Sequence, residues 1–78
     1  MIAFNLVIST ELPHALADTF GDKLGDIYVP LTRAYARQLV PDAQLAQARM
    51  ESIERAAQAD GHQRFTMTWL VEMQEPDQ

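Results

Sequence analysis

Residues 64–73, RFTMTWLVEM, alternate without a slip. Phe65, Met67, Trp69, Val71 and Met73 fall on one side of an extended chain. Arg64, Thr66, Thr68, Leu70 and Glu72 fall on the other. Successive side chains of a strand point to opposite faces, so this period of two predicts a strand with one buried face. The start of the chain repeats the pattern. Ile2, Phe4, Leu6 and Ile8 share one face, and Ala3, Asn5, Val7 and Ser9 the other. Two apolar rows, one near each end, must be covered by whatever lies between them.

About fifty residues lie between, and their spacing reads as helical. Prolines at 13, 30 and 41 each stand where a helix could begin, because the first turn leaves its N–H groups unpaired anyway. Ser9 and Thr10 are candidate caps for the first helix. With residues 11–29 at 100° per residue, Leu12, Leu16, Phe20, Leu24 and Ile27 form an apolar face, roughly continued by Leu31, Tyr35 and Leu39. Asp18, Asp22 and Asp26 stack opposite, with Glu11 joining them if the helix starts early. Ala17, Gly21 and Gly25 make a strip of small residues beside the acids. Glycine costs a helix about 1 kcal/mol against alanine, so Gly21 and Gly25 imply either close packing or a break. Pro30 biases Val29 away from helix, which puts a break at Gly25–Pro30 in prospect.

Residues 41–60, PDAQLAQARMESIERAAQAD, are rich in helix formers and hold a Glu51–Arg55 pair at i,i+4. They predict a second helix, closed by Gly61 as a C′ residue. The expected fold is therefore α+β: strand–helix–helix–strand, in one domain over 1–78, with 74–78 as a frayed tail. Its two-stranded antiparallel sheet would pack under the helices. Such a sheet is marginal alone and leaves both edges open, so a homodimer joining edges into four strands is expected, or a partner strand added to one edge.

The totals exclude more than they assign. A chain of 78 residues with one core has only about 3–5 kcal/mol of net stability and is commonly helped by a staple or a partner. It contains no cysteine, which removes disulfides and thiolate metal sites, and two histidines, His14 and His62, make no dedicated site. No cofactor is expected. A hydrophobic fraction of 47% argues against a disordered chain. No apolar run is long enough for a membrane span, and no positive charge precedes IAFNLVI as in a signal peptide. The expected location is the cytoplasm. A net charge of −5 makes nucleic acid a poor direct partner and a basic protein surface a better one.

No glycine-rich phosphate loop, HExxH, nucleophile elbow or cysteine nucleophile is present, and the clustered acids should lie exposed, so no enzyme is expected. Three carboxylates spread over about 12 Å of helix are too far apart to chelate one ion. The candidate partner-binding residues are Asp18, Asp22, Asp26 and Glu11. Their spacing also fits plain solvation, since acids early and Arg33 and Arg37 late match the helix dipole. Arg49 joins the set. Between Leu45 and Ile53 on the apolar side of the second helix, it would either snorkel at the edge or pair across an interface. Trp69 reads as core.

Three function classes remain open at this point. The first is a non-catalytic interaction module, a homodimeric adaptor or inhibitor. Its sharper form is a phage- or plasmid-type inhibitor that sets an acidic helix face on a basic nucleic-acid-binding site. The second is an assembly subunit joined through sheet edges. The third is a small ligand carrier or enzyme.

Overall fold

A computed structural model describes residues 1–75; of the tail expected over 74–78, residues 76–78 lie outside the described residues and Gln74 closes a strand. The chain forms β1 (Ile2–Pro13), α1 (His14–Phe20), a 3₁₀ turn (Gly21–Lys23), α2 (Leu24–Leu39), β2 (Gln44–Ala57) and β3 (His62–Gln74). The sheet is antiparallel in the order β1-β3-β2. β1 and β2 therefore run parallel to each other on either side of β3, and the helical segment returns the chain between them. Its 26 residues at 1.5 Å match strands of 12–14 residues at about 3.3 Å, both near 40 Å. The result is a rod, 52 × 18 × 18 Å.

The two expected strands are β1 and β3. Their inner faces are the expected ones, and they pair antiparallel from Ile2↔Met73 to Pro13↔His62. The strand–helix–helix–strand order is overturned, because the segment expected as the second helix is β2. A helix there would turn Met50 about 140° from Leu45 and leave Arg49 among the apolar residues. The strand places Leu45, Ala48, Met50 and Ile53 on one face, opposite Met73, Val71, Trp69 and Met67. Two bulges make this possible. Ala46 and Glu51 have no counterpart on β3, so the inward residues fall at spacings of 3, 2 and 3. With a partner on each side, β3 has an inner row of Phe65, Met67, Trp69, Val71 and Met73 that is almost fully buried. Helix propensity is a weak prior against that tertiary gain.

Four smaller expectations also change. Ser9, Thr10 and Glu11 belong to β1, and the first helix starts after Pro13. Pro41 precedes a strand, and Pro30 lies inside α2 instead of breaking it. Its missing N–H leaves the Asp26 carbonyl without that helical donor, on a side where Pro30 is exposed. The irregularity falls at Gly21–Lys23. Gly61 belongs to the β2–β3 hairpin loop, where its φ of +82° is one that glycine adopts without strain.

Candidate interaction surface

The helical layer rests on the sheet through its small residues. Ala17, Leu24, Thr32 and Ala36 are buried, and the Thr32 hydroxyl donates to the Tyr28 carbonyl at 2.9 Å. The glycines settle close against side chains. A Cβ on Gly21 would lie 3.3 Å from the Phe65 ring, and one on Gly25 would lie 3.2 Å from the Met50 methyl. The physical reason is the sheet. Its inner row already holds Phe4, Leu6, Ile8, Met50, Phe65, Met67 and Trp69, so the layer above approaches mainly with small groups, Leu24 being the large side chain that is fully buried.

That choice turns the large apolar residues outward. Of the expected buried stripe, Leu24 is inside, but Leu16 is 44% exposed, Phe20 39%, Ile27 52%, Leu31 40%, Tyr35 45% and Leu39 60%. At roughly 200 Å² per large side chain, they present on the order of 500 Å² of apolar surface along one flank. Sequence reasoning noticed the small-residue strip but set the large residues against the sheet. The bulk of the two strand rows was the signal for the opposite assignment.

The flank can be placed. Asp18 reaches Arg55 of β2, Gly25 sits over Met50 of β2, and Gly21 sits over Phe65 of the central strand. Around the helix these three lie between the apolar ridge and the exposed acids, so Asp18 stands on the β2 side and the ridge on the other side of the helix. α1 packs over β1 and β3, whereas α2 packs over β2 and β3. The layer thus crosses the sheet, and the inward residues of β1 from Ile2 to Leu12 are half-buried along its whole length.

The five candidate residues do not form one site. The Arg55 guanidinium donates to Asp18 at 2.7 Å and holds its carboxyl below the ordinary carboxylate range. Arg55 also lies 5.4 Å from the Phe65 ring centroid and donates through Nε to Gln63, whose amide donates to His14 Nδ1 at 2.6 Å. Asp18 is therefore tied into a polar chain along the β2 side. Asp22 and Asp26 are exposed and make no ion pair among the described residues. Glu11 lies on the far face of the sheet, paired with Arg64 at 2.8 Å. Arg49 does not snorkel from a helix; it is exposed on that same outer face, level with Leu70. Trp69 is core, 1% exposed, and its Nε1 has no hydrogen-bond partner among the described residues.

The two sheet edges differ in chemistry. β1 carries no charged side chain from Ile2 to Thr10, and β2 carries Arg49, Glu51, Glu54 and Arg55. Among the described residues no group of three His, Cys, Asp or Glu side chains could hold a metal ion, and no helix is long and apolar enough to cross a membrane. Comparison with known protein families, curated proteins and solved structures finds no match.

Proposed function

We propose that the protein is a non-catalytic protein–protein interaction module of the cytoplasm, a homodimeric adaptor or inhibitor. One observation carries this reading. The helical segment spends its small residues on its own sheet and turns six large apolar side chains to the outside. A contiguous patch of this size beside a half-covered strand is a feature of association surfaces. The acidic flank supports a second contact, with a basic protein. Asp22 and Asp26 are its free members, since Asp18 is engaged by Arg55.

The assembly-subunit reading is weaker on this fold. Unlimited edge-to-edge growth needs two open edges, and β2 is blunted by two bulges and four charges.

The test is a tagged pull-down beside an Asp22→Asn/Asp26→Asn variant, which leaves the Asp18–Arg55 pair intact. The expected result is a basic protein captured by the natural sequence, released as salt rises, and lost in the variant. Equal capture by both baits at every salt concentration would remove the acidic flank from the function.

A further inference from the structure

We infer that the charged flank of α2 on the β2 side is a seam for a second copy of this chain. The copy lies antiparallel beside it, so that Asp22 and Asp26 of each chain face Arg37 and Arg33 of the other. The inference rests on the interaction-module reading and deepens it, because it names the basic surface that meets Asp22 and Asp26.

Position is the first argument. α2 packs over β2 and β3, so it stands on the β2 half of the sheet and its outer flank faces past that edge. Asp18, which reaches Arg55 of β2, marks the direction. Asp22, Asp26, Arg33 and Arg37 follow at spacings of four, seven and four residues, which keep them within about 60° of one another around the helix. Leu31 and Tyr35 stand on the opposite flank. All four charged residues are exposed, and none of them forms an ion pair among the described residues.

Symmetry is the second. Asp26 and Arg33 lie equally far from the Val29–Pro30 bond, about 5 Å along the helix, and Asp22 and Arg37 lie about 11–12 Å from the same bond. One two-fold axis through that bond therefore sets both acids of each chain level with both arginines of its copy. At the axis the flank is uncharged, with Val29 half-buried and Pro30 exposed. A parallel copy would set acid beside acid and base beside base. A uniformly basic partner drawn to Asp22 and Asp26 would meet Arg33 and Arg37 as like charges. The flank fits a surface with its own charges in reverse order, and the chain itself supplies one.

Cover does not choose the side, since the inward residues of β1 and those of β2 are alike incompletely buried. Charge does, because β1 is uncharged from Ile2 to Thr10 and has no pattern to complement. The bulges of β2 keep two such edges from joining as a regular ladder, so the contact is made by side chains above the sheet. Exposed ion pairs give a weak, salt-sensitive association, not an obligate dimer.

The experiment is sedimentation velocity on the natural chain at about 100 μM, in salt of about 10 mM and about 1 M, between which the screening length falls from about 30 Å to about 3 Å. Beside it run Asp22→Lys/Asp26→Lys and Arg33→Glu/Arg37→Glu, each alone and both mixed, and Leu31→Glu on the opposite flank. All five positions are exposed, and circular dichroism shows whether each variant is folded. Each substitution in the charge variants moves the chain by two charges, so the net charge of −5 becomes −1 in one variant and −9 in the other. Both stay acidic, and gross charge does not draw them together. The expected result is a dimer in low salt, weakened at least tenfold by high salt and in each charge variant alone. It should recover in the equimolar mixture, where lysine and arginine of one chain face aspartate and glutamate of the other at both ends of the seam, and Leu31→Glu should leave it unchanged. A natural chain that is monomeric in low salt overturns the inference; if that monomer still captures a basic protein through Asp22 and Asp26, the interaction-module reading stands without it. A mixture of folded charge variants that stays monomeric also overturns it. So does a salt-insensitive dimer broken only by Leu31→Glu, which moves the contact to the apolar flank.

Discussion

β1 and β2 pair with the same central strand, but β1 holds one register over its whole length and β2 slips twice. β1 is smooth, uncharged from Ile2 to Thr10 and half-covered. β2 is bulged, charged and braced by Arg55 against α1. The contrast gives one sheet two edges of different chemistry. A regular edge accepts another strand, whereas a bulge twists the ladder away from flatness and leaves a residue unpaired.

Deletions should separate the two strands most sharply. Removing Val7 puts Ile2, Phe4 and Leu6 on the wrong face, because a one-residue slip reverses every side chain beyond it. Burial of a large side chain is worth about 1.5–3 kcal/mol, so misplacing three half-buried ones rivals the roughly 3–5 kcal/mol available to such a chain. This variant should show no cooperative thermal transition by circular dichroism. Removing Glu51 restores strict alternation in β2 beyond Ala46 with every face kept, and the melting curve should differ by no more than about 1 kcal/mol. An unfolded Glu51 deletion would show that the bulge is needed for more than register.

Glycine replacements in the helical layer should give a smaller effect with opposite signs. Gly25→Ala meets only the flexible end of Met50 on β2, so the helix-propensity gain of up to about 1 kcal/mol should dominate. Gly21→Ala meets the Phe65 ring, which cannot yield in the same way, and should destabilise by about 1 kcal/mol. Denaturant melts that moved both midpoints the same way would contradict this account of the two contacts.

The smallest effect concerns the brace to β2. The Asp18 carboxyl is held below its ordinary range in the folded state by the Arg55 hydrogen bond. Its contribution is therefore present above the unfolded value of about pH 4 and disappears as pH falls through the depressed folded value. The melting difference between the natural chain and Asp18→Asn should be flat from pH 5 to 8 and vanish under stronger acid. A difference that grew with acid would mean that the pair is not formed.

The same contrast explains what could be read before the structure. The strict alternation of β1 and β3 fixes both strands, their inner faces and the burial of Trp69. In β2 the extra residues Ala46 and Glu51 convert a two-residue period into one that mimics a helix, and alanine, glutamine and glutamate reinforce the impression. The stripes of the first helix were legible, but not which stripe faces inward, because that depends on volume already occupied by residues fifty positions away. Of the candidate site, Asp22 and Asp26 keep the expected exposed helical placement. Glu11 and Arg49 left it once their segments became strands.

The pairing of β1 with β3 has a kinetic side. Its partners are separated by 49 to 71 residues, from Pro13↔His62 to Ile2↔Met73, whereas β2 and β3 meet across a short hairpin loop. Closing the short loop first is entropically cheaper, so the hairpin should form early and β1 should dock late. Synthesis runs the other way: β1 leaves the ribosome first and waits for its neighbour. During that wait the apolar row of β1 is unguarded, which makes slow translation of the last strand the hazardous interval for this chain.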